Sequence, residues 1–485
     1  MANITTQQRE TLRRRLLTLS SSHGLISEKT IDSQIDRLLE EIFIEQPLPA
    51  INPIAVDESD EDRRVVVTGM GALTPLGIGN EPYWSGLVAG KSAVGRFTQC
   101  DASDFPCQVG GEVQGFDPAD YMDAKEARRM SRSSQFAIAA AQLAVEDAHL
   151  DLSAFDPYDI GVLIASGATS FPEAEKAMQA LLKGPMKISP FFVPAAVPNM
   201  PSCQVSIHFG LRGYTTTVCT ACAAGSQAIG EAAEVIRRGE AEIMLAGGTE
   251  APICRFSLGS FCAMRALSTH SNDHPEKASR PFDARRDGFV PSEAAAVLVL
   301  ERLSTARKRG AHIYAELVGY ASTCDAHHVT APDPQGAGAA RAMQRALFNA
   351  GITPQQVDYI NAHATSTPVG DLAETLAIKQ VFGEYAFSIP ISSIKSMIGH
   401  TTAAAGAVEA VATILTLTHG VLPPTINQEY PDPECDLDYI PNVARPLPDI
   451  QIALSNSFGF GGVNAVLAFR QFNEFNEFNQ GYGAM

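Results

Sequence analysis

The stretch from Thr215 to Ile236 constrains this chain more than any other. Its opening, Thr215-Thr216-Thr217-Val218, is β-branched and reads as a buried strand. After Cys219-Thr220-Ala221-Cys222 it becomes Ala-rich and runs to Ile236, which reads as a buried helix. Cys222 therefore sits where strand turns into helix. A thiol there faces unpaired backbone N–H groups and the positive end of the helix dipole, which favour the thiolate. The same N–H groups can hold an oxyanion on whatever the sulfur attacks. Two plainer readings stand beside this one. Cys222 can be a buried structural cysteine, or Cys219 and Cys222 can form a C-x-x-C metal or redox pair. No second C-x-x-C occurs, and Cys219 falls on the strand side of the turn.

The rest of the chain repeats the strand-to-helix rhythm. Strands are expected at Ile160–Ala165, Glu242–Ala246 (ending in Gly247-Gly248) and Ala294–Glu301, with helical patterns over 125–149 and from Leu303 to Arg309. From about Ile313 the alternation resumes. Strands are expected at Tyr314–Tyr320, Tyr359–Ala362, Ile391–Ile394, Gln451–Ser455 and Asn464–Phe469, and helices at Gly336–Ala350, Asp371–Val381 and 403–419. Such alternation implies mostly parallel sheets covered by helices on both faces. The domain reading is a first half over 63–312, a second over 313–470 and a flexible tail over 471–485, with similar rhythm suggesting a duplicated α/β unit. Residues 1–62 differ. Ile31, Ile35, Leu38, Leu39 and Ile42 form a helical stripe, and Asp57 to Asp62 is an acidic run. This reads as a helical extension and linker, either a docking appendage or a helical pair packing on its own protein.

Composition excludes several functions. The net charge of −18 comes with no long basic run, which argues against nucleic-acid binding and an anionic membrane surface. No apolar run approaches the ~20 residues of a membrane span. Nine irregularly spaced cysteines in a large chain without a signal peptide fit reduced thiols in a cytoplasm. The segment Val67-Thr68-Gly69-Met70-Gly71 begins like a dinucleotide site, but Thr74 takes the place of the third glycine and Pro75 follows, so no nucleotide is expected.

Two histidines stand after predicted strands, where ligands bind in α/β sheets. His363 lies in Asn361-Ala362-His363-Ala364-Thr365-Ser366-Thr367-Pro368-Val369-Gly370-Asp371, and His400 in Lys395-Ser396-Met397-Ile398-Gly399-His400. A glycine-rich loop, Asn456-Ser457-Phe458-Gly459-Phe460-Gly461-Gly462, follows another strand. With Thr220-Ala221-Cys222 these motifs occur in one order, and together they make the chain resemble the β-ketoacyl synthase family from about Arg63 to Phe469. The pattern is most similar to the elongating, single-domain, carrier-protein type.

The resemblance implies an α/β thiolase-like fold of five αβαβα layers built from two duplicated halves. It implies decarboxylative Claisen condensation of an acyl chain on Cys222 with malonyl-acyl-carrier-protein, in fatty-acid or polyketide synthesis. Cys222, His363, His400 and Lys395 become the catalytic set, and the backbone N–H groups of Cys222 and Phe460 the oxyanion hole. Lys395 is expected to pair with Glu409 and hold the His400 region, Asp371 to brace the His363 loop, and Thr365 and Thr367 to bind the pantetheine arm. Ala168, Phe261 and Phe460 are expected at the acyl pocket and its gate. Lys125, Arg128, Arg129, Lys187 and Arg265 are expected to dock an acidic acyl carrier protein, with Arg132 at the same helical spacing. No metal or resident cofactor is implied, since the phosphopantetheine arrives on the carrier. A homodimer is implied, and residues 1–62 offer a further docking segment. The alternative is a non-condensing partner subunit that sets chain length, but such partners usually lack the nucleophile. The chain departs from the family where Ser292-Glu293-Ala294-Ala295-Ala296 replaces G-E-G-A-G, and in its N-terminal extension, which points toward a dedicated biosynthetic pathway.

Overall fold

The computed structural model describes residues 64–167 and 170–473. The N-terminal extension, Ala168 and all but the start of the expected tail lie outside the described residues. Ten strands carry the main sheet path: β1 (Val65–Thr74), β2 (Ile160–Ala165), β3 (Thr215–Thr216), β4 (Ile243–Glu250), β5 (Ala294–Arg302), β6 (Ala315–Cys324), β7 (Tyr359–Asn361), β8 (Ile391–Ser392), β9 (Ile452–Phe458) and β10 (Val463–Gln471). The short Gly77–Ile78 strand pairs beside β1.

The sheet order exposes the duplication. The first half runs β3-β2-β4-β5-β1 and the second β8-β7-β9-β10-β6. Renumbered within each half, both read 3-2-4-5-1. In each, the first three strands of that order are parallel and the last two antiparallel to their neighbours. The halves join where Val66 and Val67 of β1 pair with Glu316 and Ala315 of β6. The sheets are therefore mixed, not mostly parallel. β1, β5 and β10 are buried along nearly their whole length, so antiparallel strands here lack the in–out alternation that usually reveals them.

Seven helices position the functional groups: α1 (Arg132–Asp147), α2 (Phe171–Leu182), α3 (Ala224–Arg237), α4 (Arg255–Ala263), α5 (Ala337–Ala350), α6 (Pro368–Phe382) and α7 (Ala405–His419). α3 and α7 fill the central layer, sharing one apolar cluster with residues of both sheets. α1 covers the outer face of the first sheet, and α5 and α6 that of the second. The layers are thus αβαβα. Every residue of α7 from Ala405 to Leu417 is buried, as befits a helix flanked by sheets on both sides.

The two central helices begin alike. Thr220-Ala221-Cys222-Ala223-Ala224-Gly225-Ser226 corresponds to Thr401-Thr402-Ala403-Ala404-Ala405-Gly406-Ala407. Each starts with a residue at positive φ, Ala221 at 51° and Thr402 at 48°, followed by a 3₁₀ turn. The helices cross at their glycines. A Cβ on Gly225 would lie 2.7 Å from the Ala407 nitrogen, and one on Gly406 2.4 Å from the Ser226 nitrogen. No side chain larger than hydrogen fits either position without moving backbone.

Other elements depart from expectation. Only Thr215 and Thr216 of the proposed buried strand are paired, at the sheet edge and partly exposed. Gly247 and Gly248 lie inside β4 rather than at its end. Helices α2, α4 and Met200–Phe209 were not apparent from periodicity. Among the described residues, no helix is long and apolar enough to cross a membrane.

Candidate active site

The first turn before α3 places Cys222 at the floor of a cavity of about 520 Å³. His400 comes from the corresponding approach to α7, and its Nε2 lies 2.9 Å from the Cys222 sulfur. His363 follows β7, and its ring stands at 87° to that of His400 with centroids 5.5 Å apart. The thiol and both imidazoles thus line one cavity. The Phe460 N–H donates to the Cys222 sulfur.

Burial dominates the electrostatics. It pushes the Cys222 thiol up to about 11, outweighing the lowering effects of Lys395 and of the Phe460 N–H. The helix start therefore does not leave a resting thiolate, as the sequence had suggested. The resting group is a thiol with His400 Nε2 at hydrogen-bond distance. Burial, then the Lys395 charge, holds both histidines well below the usual imidazole range, so both are neutral near pH 7. A neutral imidazole offers one donor and one acceptor.

Lys395 is buried and pairs with the buried Glu409. Its Nζ lies 3.5 Å from His363 Nδ1, so the ammonium faces His363 rather than His400. Burial pushes Glu409 up to about 7. The carboxylate bonded directly to the His363 loop is Glu374, on α6. It accepts from the His363 N–H at 2.9 Å, the Ala364 N–H at 2.7 Å and Asn456 Nδ2 at 3.0 Å. Asp371, one turn earlier, accepts from the N–H groups of Phe282 and Thr367 at 2.9 and 3.3 Å and so holds the far end of that loop. The sequence reading passed over Glu374. Its three-residue spacing from Asp371 puts both carboxylates on one face of a helix, but nothing in that spacing marks Glu374 as buried.

Residues 62–306 match the family described as Beta-ketoacyl synthase, N-terminal domain, and residues 314–429 match Beta-ketoacyl synthase, C-terminal domain. The chain belongs to the β-ketoacyl synthase family. It is 50% identical over 411 residues to 3-oxoacyl-[acyl-carrier-protein] synthase 2 of Synechocystis sp., covering 84% of this chain and 98% of that one. It is 49% identical to the protein of the same name from Staphylococcus aureus, covering 84% and 99%. Among solved structures it resembles the ketosynthase of a type II polyketide synthase, AntDE, solved with its acyl-carrier protein AntF (TM-score 0.78, 40% identity, covering 85% of this chain and all of that one). It also resembles a β-ketoacyl synthase from Burkholderia phymatum (TM-score 0.79, 38% identity, covering 84% and 100%).

The remaining predicted residues of this β-ketoacyl synthase fall in two places. Thr365, Thr367, Phe261, Phe460 and Arg265 line the cavity that holds Cys222. The two threonine hydroxyls are 3.2 Å apart, and Thr367 Oγ1 also accepts from the Gly370 N–H at the start of α6. Phe261 contacts Phe289 and Phe171 edge-on, and Phe289 stands against His400 at 5.3 Å. Arg128, Arg129 and Lys187 line a separate surface groove of about 430 Å³, joined by Lys176, which the sequence reading did not single out. Arg129 lies over the Phe191 ring of that groove at 4.9 Å. Lys125 is exposed on the short Ala124–Ala127 helix that leads into it. Arg132 is not part of this set. The helix stops before Ser131, which caps α1, and Arg132 pairs at 2.8 Å with the fully buried side chain of Glu293. That ion pair sits where Ser292, Ala294 and Ala296 stand in place of the three glycines of G-E-G-A-G.

Proposed function

We propose that the chain carries out the condensing step of fatty-acid or polyketide synthesis with the residues just described. The observation that carries this reading is the Cys222 sulfur held 2.9 Å from His400 Nε2 in a cavity that His363 also lines. Cys222 attacks the acyl thioester of an acyl carrier protein. A new carbon–sulfur bond forms, and the carrier thiol leaves with the proton that Cys222 gave up through His400. Malonyl-carrier-protein then binds, its phosphopantetheine arm passing Thr365 and Thr367. As the carboxylate leaves as carbon dioxide, the bond's electron pair passes into an enolate whose oxygen accepts hydrogen bonds from the two histidines. The enolate carbon attacks the acyl carbonyl on Cys222, whose oxygen is held by the N–H groups of Cys222 and Phe460. Collapse expels the Cys222 sulfur, which takes up a proton, and releases the β-ketoacyl carrier.

The basic groove of Arg128, Arg129, Lys187 and Lys176 offers the acidic carrier its landing site on an enzyme of net charge −18. The phosphopantetheine belongs to the carrier, and no resident cofactor takes part. The partly exposed edge strand β3 and the exposed apolar side chains of Leu182, Met186 and Val193 support a homodimer. The active halves span about 63–312 and 313–470, and the enzyme works in the cytoplasm. The presence of the thiol and its histidine partners disfavours a non-condensing partner subunit.

The test is intact mass after incubation with a panel of acyl-carrier thioesters, then with malonyl-carrier. We expect a mass gain on Cys222, lost in Cys222→Ala and discharged by malonyl-carrier as a longer β-keto product. Cys222→Gln should keep malonyl decarboxylation without condensation. A folded protein that gains no acyl group from any carrier would overturn the reading.

A further inference from the structure

Two residues that the mechanism does not use meet at one residue of the cavity wall, Gly167. Glu250 ends β4 and lines the cavity with Cys222, only 6% exposed. Its Oε2 accepts from the Gly167 N–H at 2.7 Å. On the other side of the same residue, the Cys219 thiol donates to the Gly167 carbonyl at 3.2 Å. Gly167 itself lines the cavity. It has no room for a side chain: a Cβ there would lie 2.6 Å from Glu250 Oε2 and 3.2 Å from the Ala403 methyl. The preceding residue is tied down too, since the Ser166 N–H donates to the Val218 carbonyl at 3.2 Å.

We infer that Glu250 and Cys219 are positioning residues for acyl specificity: they clamp Gly167 at its N–H and at its carbonyl, fixing the cavity wall against which the acyl chain on Cys222 lies. This rests on the condensing reading above. Cys219 is then neither a metal ligand nor a redox partner of Cys222. It is the hydrogen-bond donor for the carbonyl side of the clamp. Glu250 serves through an acceptor oxygen, so its role survives protonation, consistent with burial raising its acid to about 7. A wall held by two hydrogen bonds discriminates among chains by shape, which a loosened wall cannot do.

The experiment measures kcat/KM for short, medium and long saturated acyl-carrier thioesters, with malonyl-carrier in excess, for the wild type, Glu250→Ala, Glu250→Gln, Cys219→Ala and Cys219→Ser. Loss of a buried hydrogen-bond partner is expected to change the long-to-short ratio in Glu250→Ala by about tenfold. Glu250→Gln, which keeps an acceptor oxygen, restores the wild-type ratio. Cys219→Ala shifts the ratio in the same direction by less, because a thiol is a weak donor, and Cys219→Ser restores it. A purely structural role lowers all chain lengths in proportion and leaves the ratio unmoved, which overturns the inference. So does a shift in Glu250→Gln equal to that in Glu250→Ala. If Glu250→Ala does not fold, the Cys219 pair decides by the same criterion. Failure of the wild type to accept any acyl chain defeats the condensing reading instead. A wild type that acylates normally, with all variants keeping its ratio, defeats the clamp alone.

Discussion

Glu374→Ala tests how the site is held. The wild-type carboxylate accepts three hydrogen bonds, from the His363 and Ala364 N–H groups and from Asn456, and it is 1% exposed. A buried donor left without its acceptor costs about 1–3 kcal/mol. Three such donors put ~3–9 kcal/mol at stake against the ~5–15 kcal/mol that holds a domain folded. Water admitted to the space recovers part of this, so we expect a loss of about 3–5 kcal/mol from urea unfolding midpoints. Glu374→Gln keeps one acceptor oxygen but turns an amide NH₂ toward a donor, and should lose about 1–3 kcal/mol. The pH dependence provides an independent reading. Burial raises the Glu374 acid from 4.5 to about 7 in the folded chain. Between those values the native state binds more protons than the unfolded state, so this group makes stability fall as pH rises through the window. Glu374→Gln removes that contribution, and its stability should slope downward less steeply than the wild type's. An Ala variant within ~1 kcal/mol of the wild type, or equal slopes for the wild type and Gln, would refute the assignment of Glu374 as the brace of the His363 loop.

Other outcomes are accessible with less work. Because the Cys222 thiol is raised to about 11, its alkylation by iodoacetamide, followed by peptide mass mapping, should rise about tenfold per pH unit up to pH 9; a plateau near pH 7 would contradict this. Gly406→Val forces a side chain against the Ser226 nitrogen and should abolish folding, read as loss of soluble protein and of cooperative unfolding; a stable variant would show that the helix crossing is loose. Arg128→Glu with Arg129→Glu should weaken carrier binding and flatten its salt dependence while leaving the melting temperature nearly unchanged. Arg132→Met should do the reverse, costing about 3–5 kcal/mol of stability by leaving the Glu293 charge buried without its counter-ion, its Oε1 still accepting from Gln99 and the Val113 N–H.

The parts of the site that were legible in the sequence are those with unusual chemistry in an unusual setting. Cys222, His363 and His400 each sit among small residues beyond a predicted strand, and Lys395 and Glu409 are charged residues fourteen positions apart in an otherwise apolar, Ala-rich context. Glu374 and Glu250 were illegible for the opposite reason. A glutamate on a helix or at a strand end ordinarily faces water, and nothing in the local spacing says that these two are buried beneath the cavity. Helix α2 begins Phe171-Pro172 and carries Ala174, Ala177, Met178, Leu181 and Leu182 at helical spacing, yet none of its residues is buried, so it adds nothing to the core pattern. Strand direction failed because buried strands read alike whichever way they run: β5, antiparallel to both neighbours, is as uniformly apolar as a parallel strand. Thr215–Val218 read as a core strand because β-branched residues favour sheets generally, at edges as well as centres.

The matching turns at Cys222 and Ala403 separate what the backbone supplies from what the side chain supplies. Both turns open at nearly the same positive φ, precede the two central helices, and line the same cavity. One carries sulfur and the other a methyl group. The protein thus holds its own internal comparison: an identical cradle with the nucleophile left out. The shape of the turn therefore does not distinguish the two places; what differs is the Cys222 sulfur, with His400 Nε2 at 2.9 Å and the Phe460 N–H beside it. Because the helices cross at Gly225 and Gly406, the two turns open side by side, one placing the Cys222 sulfur and the other following His400 into the same cavity.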